Sequence, residues 1–369
     1  MITMNETQES SFSPTGTWAG PVIDTDVRLT VGSVKRLFPY IKDRGWVDWI
    51  LSSSFREPPS RATVQPPGAA NSIRPEWRSE GGKHPVTDLA TLQRHLLDSG
   101  PTELAIVDPY WGLDGVRHPE LAAQLARALN DWVVGEFLDR DPRLRGTITV
   151  VHHDPAEAVR EIERVGGHPG FVQVALPVWS QLPWGRRIWH PLFEAIARHD
   201  LVAVVQYGGV PDGPPTPTGH PSYFVEQFAA APQIFLTQLI SIIAEGVFEA
   251  VPDLRMTFQE SGFTWLPGAM WRMTKEWKGL RRDIPWVNRP PASIVREHIR
   301  VSVPSLDGMP AAELAHTTEW LGTDQMLMYG SGYPRVQPDE IETLRSVLTA
   351  TAQQKLMADN ARAHYRISS

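Results

Sequence analysis

The 369-residue chain contains no cysteine. That absence excludes disulfides, thiolate zinc sites, iron–sulfur clusters and a cysteine nucleophile, so any metal would have to be held by His, Asp or Glu. Excess positive charge is missing too: 35 Lys and Arg face 42 Asp and Glu, a formal net charge of −7. With no broad basic field to hold a phosphate backbone, nucleic acid is not an expected partner. No apolar run approaches the roughly 20 residues that span a bilayer; even Gln233–Val251 is interrupted by Gln238, Glu245 and Glu249, so no membrane partner is expected. The polar opening from Met1 to Trp18 lacks the basic and apolar regions of a secretory signal, which makes the cytoplasm the expected compartment. Neither HxH nor HExxH occurs, and no Gly-rich nucleotide turn follows a strand.

What the chain does have is a regular alternation of short β-branched runs with segments of helical period. The runs Val22–Val27, Glu103–Val107, Thr147–Val151, Phe171–Leu176, Val202–Gln206, Arg255–Gln259, Ile299–Val303 and Met326–Gly330 read as eight strands. Helices are expected over Pro119–Leu138, Asp154–Val165, Ile188–His199, Gln233–Val251, Pro310–Leu321 and Asp339–Leu348. Asp154-Pro-Ala-Glu157 offers a capping Asp, a Pro in the first turn and a Glu three residues on. Eight such units fit an α/β fold of the (β/α)8 TIM-barrel type better than an open sheet. Residues 1–17 are expected to be a flexible tail and 18–369 a single barrel domain. Residues 52–86, rich in Pro, Arg, Gly and Ser, are expected to be an irregular insertion after the first strand.

On a barrel, the chemistry belongs at the C-terminal ends of the strands. Strict alternation would point Asp24, Asp26 and Arg28 the same way off the first strand, either as an ion pair plugging the mouth or as substrate contacts. Gln206-Tyr207-Gly208-Gly209 ends the fifth strand, Glu260 follows the sixth, and Gly332-Tyr333-Pro334-Arg335 follows the eighth. His152 and His153 follow the third strand, and at most one of such an adjacent pair faces a pocket. Trp265, Trp271, Trp277 and Trp286 are packing residues or an oligomer contact, at a spacing that is not strictly helical.

These pieces resemble the ACMSD-type branch of the amidohydrolase superfamily. The resemblance rests on Val22-Ile-Asp-Thr-Asp26-Val-Arg28, Gln206-Tyr-Gly-Gly, Phe248-Glu-Ala-Val-Pro-Asp-Leu-Arg255, Glu260-Ser-Gly-Phe-Thr-Trp265-Leu-Pro267 and Tyr329-Gly-Ser-Gly332-Tyr-Pro334-Arg335. It implies a distorted (β/α)8 barrel and metal-dependent decarboxylases or hydrolases, commonly dimeric. Measured against that pattern, Asp26 keeps one ligand position, while Arg28, Gln206 and Gly332 stand where the family has His, His and Asp. Arginine donates without accepting and stays charged, so no metal or other cofactor is expected, with the Arg28 guanidinium near the cation's place.

Two functions follow as expectations. The first is a metal-independent hydrolase or decarboxylase-like lyase acting on a small anionic or carbonyl-bearing molecule. Its catalytic residues are expected to be Glu260, Asp26 and His152, and its substrate-binding residues Arg28, Gln206, Tyr207, Trp265, Tyr333 and Arg335. The second is a catalytically inactive paralogue supporting an intact amidohydrolase. A homodimer or a hetero-oligomer with such a relative is the expected assembly. Under the first, Arg28→Ala is expected to abolish turnover with little loss of fold.

Overall fold

The computed structural model describes residues 17–55, 73, 77, 88–109, 111–209, 219–304, 307–335 and 338–367. Eight strands, β1 (Val22–Arg28), β2 (Thr102–Asp108), β3 (Leu144–Ile148), β4 (Phe171–Pro177), β5 (Val202–Gln206), β6 (Arg255–Gln259), β7 (Ile299–Val303) and β8 (Leu327–Tyr329), form one sheet in that order. Every neighbouring pair is parallel. The chain beyond β8 turns back to β1, where Val27 bridges Tyr333 and the Arg28 N–H donates to the Tyr333 carbonyl at 3.0 Å. The result is the expected (β/α)8 barrel. Helices cover its outside, which is why β1, β4 and β5 are buried along their whole length and β4 and β5 read as near-continuous apolar runs.

Inside the barrel, Ile23, Ile106, Val172, Val202, Val204 and Met328 pack together with Ala361 and Tyr365 of the C-terminal segment. The Tyr365 hydroxyl donates to Gln173 Oε1 at 2.8 Å, and His364 Nε2 lies 3.1 Å from Thr257 Oγ1, so this segment closes the floor opposite the mouth. The Asp154 cap forms as its sequence implies, with Oδ1 accepting from the Glu157 N–H at 3.0 Å.

Three sequence expectations change. β3 lies at Leu144–Ile148, ahead of the Thr147–Val151 run, because Arg145 and Gly146 interrupt the apolar pattern. Gly146 is a packing requirement, since a Cβ there would come within 2.9 Å of Leu138 and 3.0 Å of Phe171. The long Gln233–Val251 helix is two helices, Ala231–Ala244 and Val247–Ala250. They part at Gly246, whose φ of 72° and close approach to the Trp286 ring exclude a side chain. A helix, Leu266–Leu280, with Trp265 at its N-cap and Trp271 and Trp277 within it, stands where no helix is expected from the sequence.

The stretch Phe224–Ala244 is long and apolar enough to cross a membrane by length and composition. It comprises two helices, Phe224–Ala229 and Ala231–Ala244, the second burying Ile234, Phe235, Leu239, Ile242 and Ile243 in the core. Most of the 52–86 insertion and residues 1–16 of the tail lie outside the described residues.

Candidate active site

The register of β1 against β2 slips between Asp24 and Val27. This bulge interrupts the alternation expected of Asp24, Asp26 and Arg28 and gives them different surroundings. Asp24 Oδ1 accepts from the backbone N–H groups of Ser331 (2.8 Å) and Asp26 (3.1 Å), tying β1 to the β8 turn. Burial pushes its pKa up to about 6. Asp26 instead accepts from Gln259 Nε2 at 2.5 Å, and Arg28 reaches across the mouth.

Arg28 is the hub. Its Nη1 donates to Asp108 Oδ2 (2.9 Å) and Gln206 Oε1 (3.1 Å), its Nη2 to Glu260 Oε2 (2.9 Å), and its Nε lies 3.4 Å from Asp26 Oδ1. One guanidinium therefore gathers the ends of β1, β2, β5 and β6. Arg335 meets the other Glu260 oxygen, Nη2 to Oε1, at 2.7 Å. The gap between the two arginines, where the sequence places an anionic ligand, is filled by the Glu260 carboxylate.

A guanidinium only donates, so the Gln206 amide must turn its oxygen to Arg28. Its Nε2 is then a buried donor with no hydrogen-bond partner among the described residues, and Asp26 Oδ2 is a buried acceptor in the same condition. Burial, and then the nearby Glu260 charge, push the Asp26 pKa up to about 7. Burial also opposes ionisation of Glu260, but Arg28 and Arg335 outweigh it and hold its pKa below the usual value. The two carboxyls are thus driven apart, one toward the protonated form and one toward the anion, the division of labour that acid–base catalysis uses.

The remaining predicted residues surround this cluster in different ways. Tyr207 packs edge-on to Trp179 (4.9 Å) and against Phe228 (5.3 Å), forming an aromatic wall close enough to feel the charges of Glu260 and Arg335. Trp265 Nε1 donates to the carbonyls of Ser261 (3.0 Å) and Gly262 (3.2 Å), bracing the turn that carries Glu260. Tyr333 is buried with its hydroxyl 3.1 Å from His95 Nδ1 and its ring against Trp77; its side chain belongs to the seam and its carbonyl holds Arg28 N. His152 has both ring nitrogens engaged, Nδ1 with Asp114 and Nε2 with the Ala175 carbonyl at 3.0 Å. It ties the turn after β2 to β4 and leaves no ring nitrogen for a substrate proton.

Two residues of the cluster escape the sequence reading. Asp108 is the last residue of β2, one position past the run read as that strand, so the signal was a charge at a strand's C-terminal end. Asp114 lies in the following loop, with nothing to mark it. A separate cleft lined by Arg36, Asp88, Gln93, Glu136 and Arg140 sits in the helical layer and holds none of the predicted site residues. Among the described residues, no three His, Asp or Glu side chains are grouped to hold a metal ion.

A sequence model of the amidohydrolase family matches residues 23–367. The chain belongs to this family. No curated protein sequence matches it. Among solved structures, 5-carboxyvanillate decarboxylase from Sphingomonas paucimobilis shares 18% identity, with 94% of this chain and 99% of that one covered at a TM-score of 0.66. A dihydroxybenzoic acid decarboxylase from a Polaromonas species, solved with bound manganese and 2-nitroresorcinol, shares 17% over 94% and 97% at 0.66. The 2,6-dihydroxybenzoate decarboxylase from Rhizobium shares 16% over 95% and 100% at 0.66. At these identities the likeness establishes the fold, which is that of amidohydrolase-family decarboxylases.

Proposed function

We propose that this amidohydrolase-family chain is a hydrolase or carboxy-lyase that works without a metal ion on a small anionic or carbonyl-bearing organic molecule. The observation that carries the reading is the Arg28 guanidinium, fixed by Asp108, Gln206 and Glu260 at the centre of the mouth. The donor set does not suit a divalent cation: Gln206 turns its oxygen to Arg28, and the guanidinium's own charge repels a metal. Arg28 supplies the fixed positive charge and keeps Glu260 ionised. Arg335 and Gln206 Nε2 provide hydrogen bonds to a ligand oxygen, and Tyr207 with Trp179 forms the wall beside it. Asp26 is the group able to lend a proton. Glu260 is the group able to accept one from water; where a carbon–carboxylate bond breaks instead, carbon dioxide leaves, Arg28 and Arg335 stabilise the electron pair left on the substrate, and Asp26 returns a proton to that carbon.

The test is direct. Protein purified without added metal is analysed for zinc, manganese and iron, then incubated with 5-carboxyvanillate, 2,6-dihydroxybenzoate and a panel of aromatic and aliphatic acids and esters. Turnover by metal-free protein, lost in Glu260→Gln and Arg335→Gln, is the expected result; activity that tracks near-stoichiometric transition metal refutes it. One observation favours the inactive-paralogue reading: the hub's charges are answered by the protein itself. Copurification with an intact amidohydrolase, and no turnover by this chain alone, would establish that alternative. Trp271 and Trp286, both exposed, are candidate contacts for such a partner or for a second copy.

A further inference from the structure

Glu260 bridges two guanidiniums in the way an external carboxylate would, with one oxygen 2.9 Å from Arg28 Nη2 and the other 2.7 Å from Arg335 Nη2. The two ends of the bridge are unequal. The Arg28 side chain is 10% exposed and is also fixed by Asp108 and Gln206, whereas that of Arg335 is 27% exposed and makes no other side-chain hydrogen bond among the described residues. The Arg335 end is therefore the weaker, since water screens an exposed pair more than a buried one.

The backbone beneath is committed. Glu260 has φ 59° and Gly262 φ 62°, a left-handed turn that a glutamate enters only under outside constraint, with Trp265 holding the carbonyls of Ser261 and Gly262. Such a turn aims the side chain inward and leaves its torsions as the freedom available. A ligand carboxylate that approaches Arg335 with Glu260 in place meets a like charge at contact distance.

We infer that Glu260 is an internal occupant of the anion position, and that a ligand carboxylate enters by displacing it from Arg335 while it stays bound to Arg28. The residue is then a specificity gate as well as a catalytic group: an anion competes with it, whereas a neutral carbonyl compound does not. The inference deepens the proposed function and rests on its reading of the mouth as an anion site.

Calorimetric titration of the full chain with acetate, benzoate and neutral benzamide tests it, using wild type, Glu260→Gln, Glu260→Asp and Arg335→Gln, with melting curves to confirm folding. Glu260→Gln is expected to bind both anions at least tenfold more tightly than wild type. Glu260→Asp keeps the charge but is one methylene too short to bridge both guanidiniums, so it is expected to bind them at least threefold more tightly. Benzamide affinity should stay within twofold, and Arg335→Gln should lose the anions. If wild type binds the anions and the folded Glu260 variants bind them equally or more weakly, the gate is refuted while the anion site stands. If no folded protein in the set binds acetate or benzoate, the anion site is refuted and the gate falls with it. Should Glu260→Gln not fold, Glu260→Asp decides the matter.

Discussion

Replacing Arg28 by alanine puts the hub under the hardest strain. The side chain is the hydrogen-bond partner of Asp108 and Gln206, both fully buried, and of the nearly buried Glu260. Removing one member of a buried ion pair costs about 3–5 kcal/mol because the remaining charge is left without compensation. At about 1.3 °C per kcal/mol for a chain of this size, the melting temperature should fall on the order of 4–7 °C. This revises the expectation that the change would spare the fold. The loss should also depend on pH. Arg28 lowers the pKa values of both Asp26 and Glu260, so without the guanidinium both rise and the variant's native state binds more protons than the wild type's. The variant's deficit should then be largest near pH 8 and shrink as pH falls toward 5. Differential scanning calorimetry of both proteins at pH 5, 6.5 and 8 measures this. A melting temperature within a degree of wild type at pH 8, or a deficit that does not change with pH, would refute the hub as described.

His152 is raised above its ordinary value: burial pulls it down, but the charge and hydrogen bond of Asp114 and the Ala175 carbonyl outweigh that. The stabilisation is complete below the unfolded value near pH 6.5 and fades as pH climbs through the folded one, so Asp114→Asn should cost about 1–3 kcal/mol at pH 6 and less at pH 9 in urea melts. His364 is held well below its ordinary value by burial, with Arg300 and Arg255 adding to it. The unfolded chain takes up a proton near pH 6.5 that the native state refuses, so His364 subtracts from stability as pH falls from 7 to 5, and His364→Gln should gain stability relative to wild type at pH 5 compared with pH 7. A Cβ on Gly185 would lie 2.1 Å from the Ser241 carbonyl oxygen, backbone that cannot step aside. Gly185→Ala should therefore destabilise by about 1–3 kcal/mol, read from the denaturation midpoint.

Repeating apolar runs and helical periods were enough to count eight strands and give their order around a barrel, with β3 alone set three residues late, because burial of a strand on both faces leaves a local mark in the residues themselves. For the same reason Glu260, Gln206 and Arg335 could be put at one rim: a polar residue just past a buried strand has few other places to go. Which groups touch could not be read that way. The contacts of Arg28 with Asp108, Gln206 and Glu260 span 80, 178 and 232 residues, and no local pattern records a bond of that length. The β1 bulge that parts Asp24 from Asp26 depends on pairing with β2, and the full engagement of His152 depends on Asp114 in another loop. The amino-acid order by itself thus determined the barrel and the cast of polar groups at its mouth, through periodicity and burial. Tertiary structure alone decided that a carboxylate of the chain sits between its two arginines, because charge pairing is settled by distances that only the closed barrel creates.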